Sequence, residues 1–181
     1  MLHKIKRGVK KTAVWLNRLI LILVILIVIL FTKANFKNST PAYTRLSSPP
    51  DICTTTDTLN HLYHPFRFSV YNHCVSVWGT AVGSESDEND GDFKFKLKVD
   101  APYSGVLNIG NRILTGGNLI VEVVCAVPAH HTYEKEACKN YKNKVYLPKI
   151  GERVKVVGQH VLDIPHGWNE IHPAYLITHD R

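Results

Sequence analysis

The chain has 181 residues, a formal net charge of +7 and ten histidines. The excess is confined to one end. Met1 to Pro50 holds nine Lys or Arg and no acid, whereas Asp51 to Arg181 holds thirteen and all fifteen acids, a net of −2. The basic character therefore belongs to an N-terminal arm, and it is no argument that the rest of the chain binds nucleic acid.

Residues 1–12 form the basic arm. Leu19 to Phe31 follows as thirteen apolar residues without a polar side-chain atom. A membrane span needs about 20 residues. Thr12 to Leu16 extends the run, broken only by Asn17 and Arg18, and predicts a transmembrane helix over 13–32. Arg18 lies near enough to its start to snorkel to the headgroups, and Trp15 suits the interface. Five Lys or Arg precede the segment, against Lys33 and Lys37 after it. The positive-inside rule then puts the N-terminus in the cytoplasm and residues 33–181 outside. The alternatives are a cleaved signal peptide, for which Thr32-Lys33-Ala34 is a poor site, and a buried soluble helix, for which the run lacks polar periodicity. The bilayer is thus one expected partner, through a signal-anchor in the cell membrane.

Residues 33–50 are rich in Ser, Thr, Asn and Pro and read as a flexible linker. Asn38-Ser39-Thr40 is an N-x-S/T triplet within it. Residues 51–181 form the folded extracytoplasmic domain, with a core for one unit and no internal repeat of solenoid size. Its four cysteines, Cys53, Cys74, Cys125 and Cys138, favour disulfides outside the cytoplasm. Three pairings are possible, and sequence neighbours favour Cys53–Cys74 and Cys125–Cys138. A zinc site from Cys53, His61, His64, His73 and Cys74 is the alternative, without the usual C-x₂₋₄-C knuckle.

Strand signals dominate the domain. The first strand is expected over Cys74 to Val82, then a polar turn over Ser84 to Asp92. Phe93 to Val99 alternates apolar with Lys94, Lys96 and Lys98, the period of a strand with one wet face. Asn118 to Val127 is apolar on both faces and so central. Thr132 to Asn143 predicts a short helix with Thr132 as N-cap. Gly151 to Leu162 and Glu170 to Ile177 complete five strands, joined by a turn over Ile164 to Asn169. Pro173 implies an edge or a bulge. Val75-x-Val77-x-Gly79 and Val154-x-Val156-x-Gly158 place glycines where a small barrel must bend.

A mainly β chain of five strands, with its helix between strands three and four, resembles the OB-fold, and Gly151-x-x-Val154-x-Val156-x-Gly158 looks like that fold's fourth-strand signature. The His166 to Pro173 stretch, His-Gly-Trp-x-Glu-Ile-His-Pro, is similar to a group of uncharacterised exported or membrane-anchored proteins. The resemblance covers roughly Asn72 to Thr178 and implies a small five-stranded OB-like barrel. It imports no activity.

In OB-folds ligands lie across strands two and three, between the first–second and fourth–fifth loops. By resemblance this gathers Lys94, Lys96 and Lys98, the acidic loop Glu85 to Asp92, and Asp163, His166, Trp168, Glu170 and His172. The lysines suit a polyanion or a solvated strand face. Stacking aromatics are missing beside them, since Phe93 and Phe95 point the other way, so nucleic acid is not expected. The loop Asp87-x-Asn89-x-Gly91 fails the EF-hand pattern, and Asp90-Gly91 suits a hairpin turn. Glu170 and His172 share a strand face, with His166 and Trp168 in the preceding loop. That cluster is read either as structure, with Trp168 and Ile171 plugging the barrel end, or as a ligand site. No nucleophile, phosphate loop or cofactor motif appears, so no catalytic residue and no cofactor is assigned. The expected function is a single-pass membrane-anchored extracytoplasmic binding or envelope-interaction module, its partner an envelope protein or glycan. The alternative is a metal-dependent exported hydrolase using His166, Glu170 and His172.

Overall fold

The structure, a computed structural model, describes residues 15, 18–27, 52–55, 57–86 and 89–179. The basic arm, the linker with Asn38 and both ends of the expected span lie outside them. The chain divides into Met1–Ser39 and Thr40–Arg181. In the first unit residues 18–27 are helical. None of the side chains from Leu19 to Ile27 is buried. Among the described residues no helix is long and apolar enough to cross a membrane.

The second unit is mainly β. Its strands are β1 (Phe68–Ser86), β2 (Phe93–Val99), β3 (Leu119–Val123), β4 (Arg153–Asp163) and β5 (Trp168–His179). They close into a ring in the order β1-β2-β3-β5-β4, with β1 also bonded to β4. All pairs are antiparallel except β3 with β5. Among the described residues three short α-helices accompany them: α1 (Ile52–Thr55), α2 (Ile109–Leu114) and α3 (Thr132–Ala137), with three 3-10 turns besides.

The alternation in β2 predicts its two faces correctly. Phe95 and Leu97 are buried in the core, whereas Lys96 and Lys98 are exposed. β3 is buried at all five positions, as a central strand should be. Val75, Val77, Val121, Val154, Val156 and Ile171 join Phe95 and Leu97 inside the ring. Fully burying each such side chain is worth about 1.5–3 kcal/mol. Gly79 and Gly158 permit close approach as well as bending. A Cβ on Gly79 would lie 2.5 Å from the Lys98 carbonyl, and one on Gly158 would lie 2.5 Å from the Pro173 carbonyl. The β4–β5 register shifts between Val157 and His160, opposite Pro173, so the proline sits at a bulge and not at an edge.

Several boundaries differ from expectation. β1 begins six residues before Cys74 and runs through Ser86, taking the start of the expected polar turn. Strand pairing carries it there: Glu85 and Ser86 pair with Lys94 and Phe93. β3 stops at Val123, and Cys125 adopts a positive φ that ends extended chain. Trp168 and Asn169 belong to β5 and not to the turn, because they pair with Asp163 and Leu162. α3 ends at Ala137, and its N-cap position is His131, not Thr132. The helix α2 was not expected. Asn108 caps it, accepting from the Asn111 amide at 2.9 Å while Asn111 Oδ1 accepts from the Asn108 amide at 3.1 Å.

Both favoured cysteine pairs lie at disulfide distance. Cys53 and Cys74 have Cα atoms 5.9 Å apart and join α1 to β1; Cys125 and Cys138 are 5.5 Å apart and join the end of β3 to the end of α3. The zinc alternative falls with this pairing. Its histidines are also engaged elsewhere: His61 contacts the Ala137 carbonyl at 2.6 Å and stacks on Tyr141, and His73 meets Gln159 at 2.9 Å.

Candidate functional site

Side chains alternate across a strand, so Trp168, Glu170 and His172 leave β5 on the face opposite Ile171. Ile171 is in the core. The other three stand on the outer face beside β3 and β2. Parallel pairing sets Glu170 against Ile120, and antiparallel pairing sets Lys94 against Glu122. Register alone therefore assembles a charged layer outside the apolar core.

That layer is buried. Glu122, Glu170 and His172 are 3%, 0% and 4% exposed in their side chains. His172 Nδ1 lies 2.8 Å from Glu122 Oε2 and 3.4 Å from Glu170 Oε2. Its Nε2 lies 3.8 Å from Asp92 Oδ2, and Phe68 packs against the ring at 4.5 Å. Lys94 Nζ holds the other Glu122 oxygen at 2.8 Å. Glu170 Oε1 accepts from Trp168 Nε1 at 2.5 Å.

The charges divide by environment. Burial alone would suppress the His172 imidazolium, but the charge and hydrogen bond of Glu122, then Glu170 and Asp92, overcome it and hold its pKa at about 10. Burial would likewise raise Glu122, yet His172 and Lys94 drive it well below the ordinary carboxylate range. Glu170 is pushed up, by burial and then by the negative charge of Glu122. Asp92 rises to about 7, chiefly through burial. The layer therefore has two cations, Lys94 and His172, clamped on Glu122, while burial disfavours the charge on Glu170 and Asp92.

A second group adjoins it. Asp163, wholly buried, accepts from Arg67 Nη2 at 2.5 Å and lies 2.7 Å from His166 Nδ1. His166 stacks flat on Trp168, with ring centres 4.5 Å apart and planes 5° from parallel. Trp168 is half-buried on the outer face, so it does not plug the end of the ring as one reading expected. The alternation that sends Ile171 inward sends Trp168 outward.

Above these groups lies a cleft of about 290 Å³, lined in part by Lys94, Lys96, Leu114, Thr115, His166 and Trp168. Four of the expected ligand residues, Lys94, Lys96, His166 and Trp168, thus meet at one opening. Lys98 continues the exposed stripe but does not line the cleft, and Glu170 and His172 lie behind its wall. The described end of the acidic loop, residues 89–92, is a turn: Gly91 has a positive φ, and the Asp92 amide donates to Asp90 Oδ1 at 2.9 Å.

Among the described residues two groupings place ligand-type atoms within 4.8 Å of one another, Asp92–Glu122–His172 and Asp163–His166–Glu170. His166 and His172 fall in different ones, so the structure does not bring His166, Glu170 and His172 together as a single set. The arrangement offers a ligand cations and a ring wall, while the Thr115 hydroxyl is engaged with the Asn111 and Asn118 carbonyls and the carboxylates are sealed behind Lys94 and Trp168. Sequence reasoning missed Glu122 and Arg67, and brought Asp92 forward only as the end of the acidic loop. Glu122 had a signal, being the single charge in the apolar run Leu119 to Val127. It missed the asparagines too. Asn111, fully buried, donates to the Asn169 carbonyl at 2.9 Å and accepts from the Asn169 amide at 3.0 Å, docking α2 onto the start of β5. No protein-family model, no curated protein and no solved structure matches this chain.

Proposed function

We propose that residues 51–181 are an OB-like β-barrel displayed outside the cytoplasm by a single-pass N-terminal anchor, and that the domain is a binding module of the cell envelope. The strand order β1-β2-β3-β5-β4, the parallel β3–β5 pair and the helix between β3 and β4 support the barrel assignment. The basic arm before an apolar run supports the anchor and its direction. Two cysteine pairs at disulfide distance favour an oxidising compartment.

One observation carries the binding reading. The cleft brings Lys94 and Lys96 together with the stacked His166–Trp168 pair, on the face and beside the loop where OB-like domains take ligands. Both of its anchoring groups are pre-positioned from behind: Glu122 fixes Lys94 and Glu170 fixes the indole. Preorganisation of this kind lowers the ordering cost of binding. The inward-facing Phe93 and Phe95 leave a nucleic-acid strand without successive stacking platforms, which favours an envelope protein or glycan.

Placing a photo-reactive residue at position 96 of the full chain, in cells, tests this reading. A discrete adduct lost in Trp168→Ala and absent from the same probe at position 144 is expected. A probe at 96 that captures nothing above the position-144 background overturns it.

A further inference from the structure

Leu114 lines the cleft, and the helix that carries it and the turn before β5 expose further aliphatic side chains. Ile109, Ile113 and Leu114 of α2 are 69%, 71% and 60% exposed, and Ile164, in the adjoining turn, is 57% exposed. Four large aliphatics exposed to this degree on neighbouring surface pieces are unusual for a water-facing domain, and such patches mark interaction sites. The pieces are fixed to each other. Asn108 Nδ2 donates to the Gly167 carbonyl at 3.0 Å and to Asn169 Oδ1 at 3.0 Å. Gly110 lies so close to Gly167 that a side chain there would collide with its carbonyl. The isoleucines therefore ride on a rigid corner.

Charge names the occupant. Arg112 lies exposed on α2 between Ile109 and Ile113, and Lys96 lines the cleft that Leu114 borders. Neither has a carboxylate within ion-pair distance among the described residues. The acids behind this face, Glu122, Asp163 and Glu170, are buried and engaged with Lys94, Arg67 and His172. Trp168, half-buried with its N–H satisfied, has the amphipathic character of interfacial tryptophans. Aliphatic tips flanked by cations match a headgroup layer bearing phosphate more closely than a water-soluble anion, which gains nothing from isoleucine. A protein surface would fit the patch, but it is not called for by the cations.

We propose that the corner formed by α2 and the Ile164–Gly167 turn docks on an anionic lipid surface. Ile109, Ile113, Leu114 and Ile164 enter the headgroup–acyl boundary, and Lys96 and Arg112 meet lipid phosphates. The inference rests on the outer-face cleft being the binding face and sets a lipid surface beside it, next to whatever envelope protein or glycan the cleft itself holds. Residues 28–51 separate the helical run from α1; that length reaches at most about 85 Å at roughly 3.3–3.6 Å per residue, enough for any face of the unit to meet a bilayer.

The test uses the full chain, with Trp15→Phe and Trp78→Phe so that Trp168 alone reports, in nanodiscs of phosphatidylcholine with or without phosphatidylglycerol. The lipid carries ordinary or brominated acyl chains, which quench indoles in contact with them. Trp168 should be quenched in the anionic discs. Ile113→Asp should abolish the quenching, with the melting temperature retained because the side chain is exposed. Lys96→Glu should lower the docked-to-free ratio about five-fold or more, as expected of a cation near an anionic surface, and Lys144→Glu should not. Unquenched Trp168 in anionic discs overturns the proposal. So does quenching that survives Ile113→Asp, or that is equal in neutral discs. An adduct from position 96 to a protein or soluble glycan, with Trp168 unquenched, removes lipid docking and leaves the binding module standing.

Discussion

The two faces of β3 and β5 are buried about equally and by opposite chemistry, while the outer face of β2 is half-buried only where Lys94 meets Glu122. Inside the ring, Phe95, Leu97, Val121 and Ile171 are sealed by one another. Outside it, Glu122, Glu170 and His172 are just as inaccessible, yet they are held by charge and hydrogen bonds. The inner face needs only apolar volume in a suitable shape. The outer face needs particular partners, since a buried charge deprived of its counter-charge has no solvent to turn to. Burial alone therefore does not distinguish core from site; the chemistry beneath the burial does.

The sharpest way to break the comparison is to remove one partner and then both. Glu122→Leu leaves His172 and Lys94 without their shared anion and should cost about 3–5 kcal/mol in urea unfolding. Glu122→Leu with His172→Leu should recover part of that loss, as replacing a whole buried ion pair often does. Inside the ring, Phe95→Ala should also cost about 3–5 kcal/mol through its cavity, but Leu97→Met should cost under about 1.5 kcal/mol. Equal tolerance on the two faces would erase the distinction.

Alkaline pH discharges the same layer without mutation. The folded pKa of His172, about 10, lies above its ordinary value of 6.5. Its contribution is thus complete below about pH 6.5 and is lost as pH rises toward 10. Asp92, raised to about 7, adds a loss as pH rises from 3.8 to 7. His160, which burial lowers to about 4, acts oppositely, adding stability as pH rises from 4 to 6.5. These two oppose each other below neutrality, while Glu170, raised by burial and by Glu122, acts in the same sense as Asp92; the window to read for His172 is pH 7 to 10. Melting temperature should fall across it, by an amount corresponding to a few kcal/mol, and His172→Gln should flatten the slope.

Smaller effects follow. Removing the Cys125–Cys138 link by a paired Ser substitution should cost about 2–4 kcal/mol, read by chemical denaturation. Trp168→Phe keeps a ring on the outer face and deletes only the donor to Glu170. It should cost about 1 kcal/mol, whereas a tryptophan plugging the core would cost several.

The fold was largely legible because period-two alternation and interior glycines are local signals. Phe93 to Val99 shows its two faces directly, and Gly79 and Gly158 mark where strands approach. The β1 extension was not legible, since Glu85 and Ser86 have no strand character of their own and are extended by pairing with β2. Helix α2 is too short for periodicity to reveal, and its mark was the Asn108–Asn111 capping pair. At the site, the motif from His166 to Pro173 brought the right residues forward, but the split between them came from register. His172 looks toward Glu122 and Asp92, while His166 looks toward Asp163. Such partners lie tens of residues apart in sequence, and only strand pairing brings them together.

Lysine footprinting of the full chain in native membranes tests most directly whether the outer-face cleft is the working surface. Lys96 and Lys144 are both exposed, one at the cleft and one in the loop before β4. If the cleft is occupied, Lys96 should be modified several-fold more slowly in membranes than in purified detergent-solubilised protein, with Lys144 unchanged. Modification of Lys96 at the same rate in both settings would contradict the account.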